Sequence, residues 1–90
     1  MALFILGRVV ATPGAMDALS RSLQSPGDFL TKHVRGEWGD LDAFDTEANR
    51  TAIREGDRIL SSYKTCHGEA IWVITEADRS STCILLPSEY

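Results

Sequence analysis

Four side chains of this 90-residue chain have the types that proton transfer and phosphate binding need: His33, Arg58, Glu76 and Arg79. A histidine or carboxylate can act as base and acid at a ribose 2′-OH and at the leaving oxygen. Arginines can steady the charge that builds on phosphorus, so the set is what metal-independent RNA cleavage requires. Glu76 and Arg79 fall in one short stretch, Glu76-Ala77-Asp78-Arg79-Ser80-Ser81, between two apolar runs. That stretch also has a plain structural reading, which is the favoured one. Asp78 can close an Asx-turn, Arg79 can pair with Glu76, and the serines can satisfy turn amides. His33 next to Val34 and near Phe29 is, by the same weighing, a half-buried, hydrogen-bonded histidine before it is a catalyst.

Other chemistry finds less support. His33, Cys66, His67 and Cys83 could supply four zinc ligands, but no pair has zinc-site spacing except the adjacent Cys66-His67. No metal is expected. There is no Gly-rich phosphate loop and no serine in a nucleophile-elbow context, so no cofactor is called for. Glu37, Asp40, Asp42, Asp45 and Glu47 follow one another with no Lys or Arg between them. Clustered carboxylates can imitate phosphates in a basic cleft. Here they read first as a solvated loop and helix start.

The elements that must position these groups follow from periodicity. Leu3–Ala11 is apolar and β-branched, a strand expected to be buried on at least one face. Thr12-Pro13 starts a helix over about 13–23, with Met16, Leu19 and Leu23 at helical spacing. Ser25-Pro26-Gly27-Asp28 starts a second over about 26–35, burying Phe29, Leu30 and Val34 and ending at Gly36. Trp38, bracketed by Gly36 and Gly39, is expected to fold back over the core. Asp45 and Thr46 cap a third helix near 46–55 with a narrow Ala48, Ala52, Ile53 stripe, closed by Gly56. The pattern then alternates. Ile59, Ser61 and Tyr63 share one side of a strand, Ile71–Thr75 is apolar on both faces, and Thr82–Leu86 forms a last strand before Pro87. The expected architecture is a single α+β domain over residues 1–90, β-α-α-α-β-β-β, with a mainly antiparallel four-stranded sheet covered by helices on one face.

Composition narrows the class of function. With 43% hydrophobic and 24% charged residues the chain is an ordinary globular sequence. Thirteen acidic against nine basic residues, a net charge of −4, leave no excess cation for phosphate, so direct DNA binding is disfavoured. Ala2–Leu6 is too short to span a bilayer and lacks the flanks of a signal peptide. The expected place is the cytoplasm, without membrane contact, and two cysteines are weak evidence for a disulfide.

Three segments, HVRGEWGDL (33–41), RILSSY (58–63) and WVITEADRSSTCILLPSEY (72–90), together with LGRVVATPGA near the start, carry a resemblance. The chain resembles a family of small bacterial proteins of similar length encoded on plasmids and other mobile elements and labelled plasmid-related. The family pattern falls on His33, Gly36, Trp38, Gly39, Asp40, Asn49, Arg58, Tyr63, Trp72, Glu76, Asp78, Arg79, Thr82, Pro87 and Tyr90, with Glu37 where aspartate is expected. The resemblance implies an accessory protein of a mobile element. Its expected partner is another protein or protein–nucleic-acid complex, in host-defence modulation or plasmid maintenance. The expected contact surface is the Glu76–Ser81 turn, with Asp78 and Arg79, joined by Arg58, Tyr63 and the Trp38–Asp40 loop. Two alternatives stand beside it. Helices followed by an antiparallel meander are similar in arrangement to the barnase, colicin and RelE group, which would make the chain a toxin-like ribonuclease. The same motif could instead build a homodimer, with Trp38 or Trp72 as anchor.

Overall fold

The element order expected from the sequence is the one the chain adopts. The computed structural model describes all 90 residues, Met1–Tyr90. They form β1 (Arg8–Ala11), α1 (Pro13–Ser22), α2 (Pro26–Val34), α3 (Ala43–Glu55), β2 (Ile59–Lys64), β3 (Ala70–Thr75), β4 (Ser81–Leu85) and a closing 3-10 turn at Pro87–Glu89. The four strands make one sheet in the order β1-β4-β3-β2, antiparallel between β2, β3 and β4 and parallel between β4 and β1.

Local chemistry sets most boundaries. Thr12 Oγ1 accepts from Ala15 N at the start of α1, and Pro13 fills the first helical position, where a missing N–H costs nothing. In α2 the Asp28 carboxylate accepts from Ser25 N at 3.0 Å. Helix α3 begins earlier than the sequence predicts. Asp42, not Asp45, is its N-cap, accepting from Asp45 N at 2.8 Å, while Asp45 adds negative charge in the first turn. The first strand is also shorter than expected. Gly7 has φ +64°, and a Cβ there would press on the carbonyls of Arg79 and Ser80, so regular pairing starts only at Arg8. Leu3–Leu6 instead crosses the molecule as a strap. Leu3 N donates to Val34 O at 2.7 Å, and Leu6 O accepts from the Thr82 hydroxyl at 2.7 Å. Nor is β1 buried on a face: Arg8, Val9 and Val10 are exposed, because β1 is an edge strand.

The ladder register places Ile59, Ser61, Tyr63, Ile71, Val73, Thr75, Thr82 and Ile84 on one face. Ala15, Ala18 and Leu19 of α1 and Phe29 of α2 close over Tyr63, Ile71, Val73 and Ile84 to form the main core. Ala52 of α3 lies on Ile59 beside Trp38, with Phe4, Leu41 and Ile53 packed around them. Trp38 folds into the core as expected, its indole N–H donating to His33 O at 3.1 Å. The opposite face carries Leu60, Ser62, Trp72, Ile74, Cys83 and Leu85. None of the three α-helices packs on it, but the closing Pro87–Tyr90 segment does, with Tyr90 against Trp72 and with Ile74 and Leu85 buried.

The β2 edge is sealed by two devices. Asn49, poorly suited to a helix interior, brackets Leu60: its side-chain amide donates to Leu60 O at 2.6 Å and its oxygen accepts from Leu60 N at 3.1 Å. Two residues on, Ser62 N donates to Trp38 O at 3.0 Å and Asp40 N to Ser62 O at 2.6 Å, making a one-residue parallel bridge at Gly39. Edge strands left open invite pairing with other chains, and here that invitation is withdrawn. Asn49→Ala strands both Leu60 groups in a partly buried setting. It should cost about 2 kcal/mol, a fall in melting temperature on the order of 10 °C. Amide exchange checks it directly, since the Leu60 N–H should lose protection; an unchanged exchange rate there would remove Asn49 from the edge.

Candidate functional site

The site residues expected from sequence sort into three places. The first is interior. His33 is fully buried at 0% exposure, its Nδ1 against Ser61 Oγ and its Nε2 2.9 Å from Thr75 Oγ1. Thr75 in turn meets Thr82 Oγ1 at 2.8 Å. At the other end, the Tyr63 hydroxyl donates to Glu37 O at 2.6 Å and lies 3.2 Å from Ser61 Oγ. The result is a row of polar side chains crossing the helix-covered face of the sheet, with no unpartnered buried side-chain atom anywhere in the chain.

The protons of this row can be counted. Leu6 O and Glu37 O are pure acceptors, so Thr82 donates to Leu6 and Tyr63 to Glu37. Thr82 having spent its proton, Thr75 donates to Thr82, and His33 Nε2–H must donate to Thr75. Nδ1 is then the acceptor of the Ser61 hydroxyl, and His33 is the neutral Nε2–H tautomer. The link left without a proton of its own is Tyr63 to Ser61, and at 3.2 Å it is the longest of the row. Electrostatics agree. Burial lowers the His33 pKa from 6.5 to about 4 and raises that of Tyr63 to about 12.

The second place is the Glu76–Ser81 turn, which is turned inward at its centre. Arg79, with φ +61°, donates from Nη1 to the carbonyls of Asp57 (2.7 Å), Ala77 (2.9 Å) and Glu76 (3.1 Å), and from Nη2 to Ala52 O at 3.0 Å. Its guanidinium lies 5.8 Å from the centre of the Phe4 ring. Ala52 O and Asp57 O lie at the C-terminal end of α3, so Arg79 caps that helix from across the sheet. Arg79 does not pair with the Glu76 carboxylate, as the sequence suggested; Arg58 does, at 3.4 Å. Asp78 forms the expected Asx-turn, its Oδ1 accepting from Ser80 N at 2.9 Å, and the hydrogen bonds from Ser80 hold its carboxyl below its usual pKa.

The third place is open. Arg58 and Glu76, with side chains 50% and 43% exposed, reach across the end of the helix-free face. Arg58 Nη1 also donates to the Tyr90 hydroxyl at 2.9 Å, and the Tyr90 ring stands edge-on to Trp72 at 5.6 Å. Beside Arg58 an open groove of about 420 Å³ runs along α3, lined by Phe44, Ala48, Thr51 and Asp57 among others.

The expected convergence of His33, Arg58, Glu76 and Arg79 is therefore half realised. Arg58 and Glu76 meet at the surface. His33 is sealed beneath the Phe4 ring, 5.1 Å away and edge-on, and the Arg79 guanidinium is spent on backbone carbonyls. Of the expected binding residues, Trp38 and Tyr63 are buried, Asp40 sits in the strap that seals β2, and Arg58, Glu76 and Asp78 remain at the surface. His, Cys, Asp and Glu residues gather nowhere in a group of three that could hold a metal ion, and no helix is long and apolar enough to cross a membrane. Sequence reasoning missed Ser61, Thr75 and Thr82 as partners of His33. Their signal was a hydroxyl on the apolar side of each alternating strand. Comparison with protein-family models, curated proteins and solved structures found no match.

Proposed function

We propose that this chain is a small, non-enzymatic binding protein that meets another protein, or a protein–nucleic-acid complex, through the helix-free face of its sheet. The observation that carries the reading is the exposed Arg58–Glu76–Tyr90 cluster beside Trp72, on the face that none of the three α-helices covers. Arginine, tyrosine and tryptophan dominate the energetics of protein interfaces. Here Trp72 stands on β3, while Arg58 and Tyr90, from the segments just before β2 and after the 3-10 turn, are tied together over it. The groups that a nuclease would need do not share an accessible cleft, since His33 is buried and Arg79 is committed to main-chain carbonyls. The resemblance to plasmid-related proteins supports an accessory role for a mobile element in the cytoplasm, in host-defence modulation or plasmid maintenance.

Arg58→Glu tests this surface cleanly. The Arg58–Glu76 pair is exposed, and such pairs contribute at most about 1 kcal/mol to stability. With a tagged chain recovering its partner from a bacterial host, Arg58→Glu should weaken recovery at least tenfold while the melting temperature moves by only a few degrees. Asp17→Lys, on the exposed side of α1, should leave recovery unchanged. Equal loss in both variants would place the contact elsewhere. Growth arrest with fragmented total RNA in expressing cells would replace the binding reading with a nuclease.

A further inference from the structure

The two edges of the sheet are treated in opposite ways. The β2 edge is closed by Asn49 and by the Trp38–Asp40 strap. The β1 edge has no cover. Arg8 N donates to Ser80 O and Thr12 N to Ile84 O, so the even-numbered residues face β4. By the alternation of a parallel ladder, the N–H and C=O of Val9, and the N–H of Ala11, point outward. Val9 and Val10 are 41% and 43% exposed, one on each face of the strand. Neither a proline, a bulge nor an inward charge blunts this edge.

Charge and exposed apolar residues both mark the amino-terminal stretch of the sequence. Six of the nine exposed large hydrophobic residues, Met1, Leu3, Ile5, Val9, Val10 and Met16, fall in the first sixteen positions. The chain carries a net charge of −4, yet its first carboxylate is Asp17. Two acids are brought back to this region: Glu89, held by the Thr12 hydroxyl and by Leu86 N, and Asp78, held by Ser80 N beside Arg8. Along β1 itself, Arg8–Ala11, two copies can pair without carboxylate facing carboxylate.

We propose that the chain forms a two-fold dimer in which the β1 edges of two copies pair antiparallel about Val9, joining two sheets into one. Opposed residues of an antiparallel pair share a face, so a two-fold axis normal to the sheet must relate residues of the same parity. Centring it on Val9 lets the outward N–H and C=O of each Val9 bond the other reciprocally. It sets Arg8 opposite Val10 of the second copy, which keeps the two guanidiniums apart. Four-residue strands alone cover less than the roughly 800 Å² per partner of a standard interface. The interface is therefore small, and the dimer is a weak one, dissociating in the micromolar range. Both helix-free faces end on the same side of the joined sheet, so the dimer would present the Arg58 surface twice.

Sedimentation equilibrium from micromolar to millimolar protein tests the dimer, with thermal melts to confirm that each variant is folded. The wild type should show a concentration-dependent monomer–dimer equilibrium. Val9→Lys and Val9→Asp should each weaken it at least tenfold, because the axis sets like charges opposite one another. An equimolar mixture of the Lys and Asp chains should restore a dimer, and Arg58→Glu should leave it intact. A monomer at all concentrations overturns the proposal, including the case where the β1 edge takes a strand from another protein. A mixture that fails to re-associate overturns the Val9 register, and loss of the dimer in Arg58→Glu moves the seam to the open face.

Discussion

Arg79→Ala should be among the most damaging single substitutions in this chain, and the damage should appear in stability. The guanidinium serves four carbonyls, on Ala52, Asp57, Glu76 and Ala77, and so ties the C-terminal end of α3 to the β3–β4 turn. Hydrogen bonds from charged donors contribute about 1.5–3 kcal/mol each when well shielded. Two of these four are exposed, and the acceptors can be rehydrated, so the net loss should be about 3 kcal/mol. For a chain of this size that is a drop in melting temperature on the order of 15 °C. Arg79→Lys should recover little, since an ammonium cannot span the fork of acceptors that a planar guanidinium reaches. Backbone and side chain can be separated because Arg79 sits at φ +61°. A left-handed residue with a Cβ costs about 1 kcal/mol that glycine does not, so Arg79→Gly should be milder than Arg79→Ala by about that amount. If Arg79→Ala instead melts within a few degrees of wild type and loses partner binding, Arg79 returns to the surface as a recognition residue.

That inversion marks where the sequence stopped being legible. Helix starts were readable because a cap acts on the next few residues: Thr12 on Ala15, Ser25 with Asp28. The alternation of Ile59, Ser61 and Tyr63 predicted their shared face, and the register bears it out. Two glycines around Trp38 predicted that it would fold back, and it is buried. What failed depends on long-range partners. Leu3–Ala11 reads as one strand until Gly7 meets the carbonyls of Arg79 and Ser80, more than seventy positions away. The turn Glu76–Ser81 displays its charges equally in sequence; only the fold sends Glu76 to Arg58 and Arg79 to α3. Asn49 was visible as an anomaly in a helix interior, but its reason, the open edge at Leu60, belongs to another element. Likewise the open edge at β1 follows from its parallel place beside β4, which no local pattern encodes.

His33 should make the folded state sensitive to mild acid. Its pKa is lowered from 6.5 to about 4 because the ring is buried and faces Ser61, Thr75 and the Phe4 ring, none of them charged. Between those two values the unfolded chain binds a proton at this site and the folded chain does not. Unfolding then takes up a proton, so stability is full above the unfolded value and falls as pH drops through the window. Each unit is worth about 1.4 kcal/mol, so the cost should be about 2 kcal/mol at pH 5 relative to pH 7.5, and about 3 kcal/mol below pH 4. The melting temperature at pH 5 should accordingly lie on the order of 10 °C below its value at pH 7.5. Tyr63, pushed up to about 12, is neutral throughout and adds no slope. His33→Gln keeps a donor and an acceptor but cannot titrate. Whatever it costs at neutral pH, its stability should be flat between pH 5 and pH 7.5. The nitrogen spectrum of the imidazole offers an independent check. Nε2 should remain protonated and Nδ1 bare from pH 8 down to pH 5, with Nδ1 accepting from Ser61. If the slope survives in His33→Gln, the proton is taken up elsewhere. If Nδ1 and Nε2 are both protonated at neutral pH, the row is an imidazolium relay, each of its links carrying its own proton, and the burial that lowers the His33 pKa has been outweighed by its hydrogen bonds. If Nδ1 alone is protonated, the row runs through the other tautomer.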